Sequence, residues 1–264
     1  MDKRSISFLL RRPATWIACV QVLTAMLLKK GRATVSRQGI KIRTRIGNGE
    51  GLFCAVAGTD YEPEMRWFLS QMKQGHVCVD VGANVGIYSL HASRLLGAAE
   101  KIFAFEPTPQ THNILLENIR INQIQNIKCL PLALSNRIGH LSLIEGDRPA
   151  SNSFADEGTN IRKEEALTQA TTLNSFCEEH GVTRIDFLKA DIEGGKQALF
   201  QGAKESLVRF KPTILFENMH TGPLFPERTI LKDLCYKLYL LDGNGIRQLG
   251  DFEAFFGNLI AIFP

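Results

Sequence analysis

The chain has 264 residues, 44% of them hydrophobic and 22% charged, which is the balance of a globular protein with one main domain and excludes a disordered or low-complexity chain. Its six cysteines (Cys19, Cys54, Cys78, Cys129, Cys177, Cys235) form no C-x-x-C pair and several sit in apolar strand-like runs, so reduced core residues of a cytoplasmic protein are expected and no metal or disulfide framework. The net charge of +4 hides an asymmetry: residues 1–45 carry eleven Lys/Arg against Asp2 alone, +10, which leaves −6 for the other 219 residues.

The basic segment interleaves charge with apolar residues. Its uncharged run, Pro13 to Leu28, is 16 residues long and contains Gln21, Thr15 and Thr24, short of the ~20 apolar residues of a spanning helix. Lys29-Lys30 follows where a signal peptide needs small residues, so no cleaved leader is expected. An interfacial helix fits, with Trp16, Val20, Leu23 and Leu27 at helical spacing and basic residues at both ends. Three partners stay open for it: the protein's own core or a second subunit, an anionic membrane face contacted through residues 1–33 (for a cytoplasmic protein, the inner face), or an RNA acceptor. The aromatic interleaving of a nucleic-acid platform is missing, which disfavours nucleic acid. The oligomeric state is left open.

From Thr34 to Ala57, apolar residues alternate (Ile40, Ile42, Ile46) between glycines at 39, 47, 49 and 51, which predicts a β-hairpin and sets residues 1–60 apart as an extension of a domain spanning 61–264. A helix is predicted over Pro63 to Gln74, with Met65, Phe68, Leu69 and Met72 on one face and Gly75 as its cap.

The run Val77-Cys78-Val79-Asp80-Val81-Gly82-Ala83-Asn84-Val85-Gly86-Ile87-Tyr88-Ser89 then takes an apolar strand to a carboxylate and turns through two glycines into a helix. Glycines let a backbone bend and approach a ligand, and the helix start offers N–H groups, so this is a nucleotide-type cofactor site. A dinucleotide fingerprint fails, because Asn84 and Ile87 stand at its second and third glycine positions, and no phosphate-cradling P-loop occurs. Asp80 would repel a pyrophosphate and attract an ammonium. The next strand, 101–105, leads to Glu106, about 20 residues past the turn, the reach of an acid that accepts from ribose hydroxyls. Ribose and an amino acid without phosphate describe S-adenosylmethionine.

Beyond the helix 86–96, alternation continues: helix 109–122, strand 126–132, strand 185–190, helix 194–209 and strand 212–217, which predicts an α/β fold with a parallel sheet and right-handed crossovers. Lys237 to Leu241 and Gly257 to Phe263, with a polar segment between them, predict a closing antiparallel pair. The polar span Glu145 to Thr171 is expected to be a mobile lid or substrate loop.

Asp80-Val-Gly-Ala-Asn-Val-Gly86, Phe105-Glu-Pro107, Ala133-Leu-Ser-Asn136 and Ile185-Asp-Phe-Leu-Lys-Ala-Asp-Ile-Glu-Gly194 resemble, in order and spacing, the FkbM-type class I methyltransferases from about Tyr61 onward. The chain departs from the family pattern at Lys196, where an acid is usual, and at Asn174 in Thr172-Leu173-Asn174. The resemblance implies a Rossmann-like sandwich with a seven-stranded, mostly parallel sheet closed by a C-terminal antiparallel pair, here preceded by the N-terminal helix and hairpin. It also implies methyl transfer to a hydroxyl of a sugar, glycolipid or secondary metabolite, from a small-molecule, glycan or lipid-linked acceptor class. The rivals are a protein or RNA methyltransferase using the basic arm and a degenerate cofactor-binding scaffold.

Ligands of an open parallel sheet bind where strands stop. Cofactor contacts are expected from Asp80, Gly82, Ala83, Asn84, Gly86, Glu106, Pro107 and Asp191. Lys189 shares a strand face with Asp191, and in the resembling family this segment faces methyl transfer; the alternative is a buried ion pair that supports the strand end. Glu193 and Glu217 are placed toward the substrate. His220, beyond the fifth strand, is a residue type suited to act as general base for a hydroxyl, and the catalytic candidates are therefore His220, Asp191 and Lys189. An N-methylating Asn/Asp-Pro-Pro-aromatic motif is absent, its place taken by Asp191-Ile192-Glu193-Gly194, and no Pro-Cys nucleophile appears.

Overall fold

The structure, a computed structural model, describes residues 13–28, 31–46, 49–60, 62–97, 102–144, 153–154, 165–192, 194–242 and 245–264. Helix α1 (Pro13–Leu27) leads to the expected hairpin, β1 (Arg32–Arg37) and β2 (Ile40–Arg45), paired antiparallel. Gln38 and Gly39 make its two-residue turn, both at positive φ (49° and 78°), and Ala33, Val35, Ile40 and Ile42 alternate inward. A helix, α2 (Gly49–Ala57), stands where glycine turns were expected; Gly49 and Gly51 fall in its first turn, and Ala55 and Ala57 are buried beyond them. Helix α3 (Pro63–Ser70) begins on its proline and buries Met65, Phe68 and Leu69, one turn shorter than predicted.

Then follow β3 (Cys78–Val81), α4 (Ile87–Leu96), β4 (Ile102–Phe105), α5 (Pro109–Ile121), β5 (Ile127–Leu130), β6 (Ala133–Leu134), β7 (Gly139–Ile144), β8 (Ser153–Phe154), β9 (Glu165–Thr171), α6 (Leu173–Glu179), β10 (Phe187–Ala190), α7 (Lys196–Gly202), α8 (Lys204–Phe210), β11 (Thr213–Asn218), α9 (Pro226–Asp233), β12 (Lys237–Asp242), β13 (Gly245–Gln248) and β14 (Gly257–Ile262). The main sheet runs β5-β4-β3-β10-β11-β14-β12-β13. Its first five strands are parallel, and β14 lies antiparallel to both β11 and β12. Among the described residues the sheet thus has eight strands where seven were predicted. The added edge strand β13 is largely exposed, so no apolar alternation marks it in the sequence.

Two other expectations are corrected. The span expected as a lid contributes to a second sheet, ordered β6-β9-β7-β8, in which Glu165–Thr171 is a strand. Over 167–171, where burial is described, its buried positions are Thr168, Ala170 and Thr171, small residues that read as loop composition. The rest of the span Glu145 to Thr171, apart from Ser153–Phe154, lies outside the described residues. The helix expected over 194–209 is two, broken at buried Ala203.

One face of the main sheet packs Phe105, Phe176, Phe200 and Phe216; the other packs Phe68, Leu90, Ile102 and Leu115 together with Ala18, Val35, Ile40 and Ile42 of the extension. Fully buried Asn118 on α5 pins that extension in place. Its Oδ1 accepts from the Arg43 amide (2.7 Å), and its Nδ2 donates to the carbonyls of Arg43 (3.0 Å) and Val85 (2.8 Å), so one amide side chain ties the hairpin to the turn after β3.

Candidate active site

The turn after β3 is shaped by close approach. At Gly82 (φ 74°) a Cβ would stand 2.0 Å from the carbonyl oxygen of Asp191, and at Gly86 (φ 94°) one would stand 2.5 Å from Leu115 Cδ1, so neither position accepts another residue without movement. Asn84 between them adopts φ 50°, a conformation asparagine tolerates. The amides of Gly82 and Ala83 both donate to the Phe105 carbonyl (3.0 Å each), and the Asn84 amide donates to Glu106 Oε2 (2.9 Å). Glu106 Oε1 accepts from the Thr108 amide (3.0 Å). Glu106 is buried, and burial raises its pKa above the usual carboxylate value; it fastens the turn to the end of β4 and keeps further lone pairs for a ligand. Pro107, half-buried, follows it at the same edge and accepts from Thr168 Oγ1 of the second sheet (3.4 Å).

Lys189, on the central strand β10, gathers the charges. Its ammonium lies 3.5 Å from Asp80 Oδ1 and 3.3 Å from Asp191 Oδ2, donates to the Gly82 carbonyl (3.2 Å), and sits 5.0 Å from the centre of the Tyr88 ring. Asp80 Oδ2 accepts from Ser89 Oγ (2.6 Å), and Tyr88 Oη donates to Glu62 Oε2 (2.7 Å). Burial alone would lower the Lys189 pKa; the charges of Asp191, Asp80 and Glu62 outweigh it and hold the ammonium above the ordinary lysine value. Burial pushes Glu62 up to about 7, with the Tyr88 hydrogen bond opposing it and the Asp191 charge adding to it. Three carboxyl groups surround one ammonium, so the edge keeps a surplus of negative charge that favours a cationic ligand.

The structure brings Asp80, Gly82, Lys189 and Asp191 into direct contact, and joins Asn84 to Glu106. The ion pair expected as an alternative to catalysis, Lys189 with Asp191, forms at 3.3 Å but is not buried, since Asp191 is 49% exposed and faces outward; the buried partner of Lys189 is Asp80, which the sequence did not offer. His220 is elsewhere on the rim: its Nε2 lies 3.4 Å from Glu227 Oε2 and its ring stacks on Phe225, and among the described residues no hydrogen bond or ion pair joins it to Asp80, Lys189 or Asp191. Asn218 fixes that loop, accepting from the His220 amide and donating to the His220 and Phe255 carbonyls. Glu217 is half-buried on β11, and Glu193 lies outside the described residues. Glu62, Tyr88 and Ser89 were not anticipated. Tyr88 and Ser89 lie in the quoted run and could have been found by continuing its helical phase. Glu62 could not, since it reaches the edge only because α3 begins there.

The strand order β5-β4-β3-β10-β11-β14-β12, the glycine turn after β3 and the acid ending β4 define the class I methyltransferase fold. The family model described as "Methyltransferase FkbM domain" matches residues 80–238, and the chain belongs to this methyltransferase family, whose cofactor is S-adenosyl-L-methionine. Methyltransferase sdnD of Sordaria araneosa is 27% identical over 185 residues, covering 59% of this chain and 71% of that protein. The 2-O-methyltransferase NoeI of Sinorhizobium fredii (strain NBRC 101917 / NGR234) is 22% identical over 151 residues, covering 52% of this chain and 61%, less than two thirds, of its own length. The crystal structure of methyltransferase FkbM from Methylobacillus flagellatus KT superposes on 80% of this chain and 54% of that one, at 14% identity and a TM-score of 0.46.

The residues fit that cofactor. Among the described residues Asn84 Oδ1 is buried and accepts no hydrogen bond, and buried Asp80 Oδ1 accepts none either, having only the Lys189 ammonium at 3.5 Å, at an edge where Glu106 keeps further lone pairs. A ligand that brings an ammonium and ribose hydroxyls brings the donors these acceptors lack.

Proposed function

We propose that the protein is an O-methyltransferase acting on a hydroxyl of a sugar, glycolipid or secondary metabolite. The observation that carries this reading is Asp191, a half-exposed carboxylate at the end of the central strand, held by a buried lysine where amino-group methylases carry an amide-Pro-Pro-aromatic sequence. The name of the relative NoeI, a 2-O-methyltransferase, supports the same chemistry.

When bound, the cofactor supplies a methyl group on a positively charged sulfur, open to in-line attack by an oxygen. The chain's own groups prepare that attack. Asp80, Asn84 and Glu106 bind through their unfilled acceptor sites, with Gly82, Ala83, Gly86 and Pro107 shaping the wall. Asp191 accepts the hydroxyl hydrogen of the acceptor and takes its proton, and Lys189 fixes the Asp191 side chain by its contact at 3.3 Å. Glu62, bound to Tyr88, is a second carboxyl within the same electrostatic field. His220, paired with Glu227, serves acceptor binding on the rim.

Incubating the protein with isotopically labelled S-adenosylmethionine and separate pools of glycans, lipids, hydroxylated small molecules, protein and RNA, followed by mass spectrometry, tests the reading. Label on oxygen in the first three pools is expected; label confined to protein or RNA would reject it. Asp191→Asn should lower turnover by ~10²–10⁴ with cofactor affinity retained, and a larger loss in His220→Ala would move the base to the rim.

A further inference from the structure

Helix α1 is built inside out. A helix on a soluble domain turns its large apolar residues to the core and its charges to water, whereas α1 turns inward Thr15, Ala18, Ala25 and the partly buried Val22 and leaves Trp16, Ile17, Val20, Leu23, Met26 and Leu27 between 50% and 82% exposed. It carries no charged residue along its length. Two of its polar side chains bond within the chain: Thr24 Oγ1, though exposed, donates back to the Val20 carbonyl (2.8 Å), and Gln21 Oε1 accepts from the Ser36 amide of β1 (3.0 Å). Thr24 is the polar residue on the exposed stripe, and its hydroxyl already donates within the helix.

We propose that α1 docks this face into the headgroup layer of an anionic lipid bilayer. Three observations choose this occupant. The helix is 15 residues, ~22 Å at 1.5 Å per residue, and no helix among the described residues is long and apolar enough to cross a membrane, so α1 lies along a surface. Trp16 lies on the exposed stripe, the residue type that favours the headgroup boundary. Charge decides between a membrane and a second copy of the chain. The sequence brackets α1 with Arg11-Arg12 and Lys29-Lys30 inside a segment of net +10, so pairing two such faces would oppose like charges, while anionic lipid neutralises both. Beside the helix, a cleft of about 600 Å³ lined by Val20, Thr24, Leu28, Arg32 and Arg43 sets guanidinium groups, which also reach Glu117 at 2.9 Å and 3.3 Å, next to the apolar lip. The docking is independent of which acceptor is methylated.

Co-sedimentation of the full chain with phosphatidylcholine vesicles, with and without phosphatidylglycerol, tests the proposal. Binding is expected to the anionic vesicles alone and to be released toward 1 M salt, where screening shortens to about 3 Å. The triple variant Trp16→Gln/Leu23→Gln/Leu27→Gln should partition at least ~100-fold more weakly, while keeping its melting temperature and its S-adenosylmethionine affinity. In the unaltered protein, brominated lipid should quench fluorescence that Trp16→Phe removes. Absence of binding and of quenching, or binding equal in the triple variant or on neutral vesicles, overturns the proposal. A dimer in light scattering that the triple variant abolishes, without vesicle binding, gives the face to a second copy instead.

Discussion

The carboxyl edge of the parallel sheet and the outer face of α1 invert each other. At the edge, Asp80, Glu106 and Lys189 are at most 6% exposed, and each finds partners at 2.6–3.5 Å. On α1, six large apolar side chains stand in solvent with no charged neighbour on the helix. Buried charge is tolerated only when the fold supplies its partners, so the edge is closed within the chain except for a few acceptor atoms that point to a small ligand. Exposed apolar surface is tolerated at no structural cost, so its partner is sought outside the chain. The difference predicts opposite mutational sensitivity: the edge should be fragile and the helix face should not.

The largest effect is expected at Lys189. Lys189→Leu leaves Asp80 buried beside Ser89 without a counter-charge, a loss that typically costs about 3–5 kcal/mol. Urea unfolding near neutral pH measures it. Adding Asp80→Leu removes the orphaned charge and should return a large part of the loss, since an apolar pair can replace a buried ion pair. A single variant within ~1 kcal/mol of the parent would show that the charges do not hold the edge.

Next comes Glu62. Its folded pKa of about 7 lies above the ordinary 4.5. Between these values the folded chain binds more protons than the unfolded chain, so the contribution of Glu62 to stability is complete below pH ~4.5 and is lost as pH rises through about 7. Over that window the change is on the order of 3 kcal/mol. Glu62→Gln keeps an acceptor for Tyr88 but does not titrate, and its denaturation midpoint should vary less between pH 5 and 8 than the parent's. Equal slopes would place the titration elsewhere.

A smaller loss, read in binding, is expected at Glu106. Glu106→Gln retains one carbonyl acceptor for the amides of Asn84 and Thr108 and removes the charge, so S-adenosylmethionine should bind about tenfold to a hundredfold more weakly by calorimetry, ~1.5–3 kcal/mol. Unchanged affinity would reduce Glu106 to a fastener of the turn.

These residues differ in how far the sequence exposes them. Asp80, Gly82, Gly86 and Glu106 are legible because their job is local: a strand must end, turn within a few residues and meet the next strand, and only particular residue types do that. Lys189 is half legible. Period-2 alternation places it with Asp191, but its pairing with Asp80 depends on β10 lying beside β3, a neighbour more than 100 residues away. Glu62 is illegible, for it gains its environment only when α3 packs against α4 and brings it to Tyr88. The second sheet escapes notice for another reason: β9 buries Thr168, Ala170 and Thr171, whose small, partly polar side chains carry no apolar period. In α1 the exposed stripe is legible from spacing, but the identity of its inward residues is not, since small residues in an apolar run leave no mark.

That inward face gives the finest test, and the smallest numbers. Ala18 is fully buried among residues that include Val35, Ile40 and Ile42, so Ala18→Leu, a change to a more hydrophobic residue, should overpack the site and cost about 1–3 kcal/mol. Leu23, more than half exposed on the opposite side, loses little in solution when made polar: Leu23→Gln should stay within about 0.5 kcal/mol of the parent in urea unfolding. Hydrophobicity and stability therefore change in opposite senses on the two faces of one helix. If Leu23→Gln proves as damaging as Ala18→Leu, the outer face is covered by the protein itself in solution, and the contrast with the carboxyl edge collapses. If it is silent in unfolding, whatever selects leucine there acts outside the folded chain.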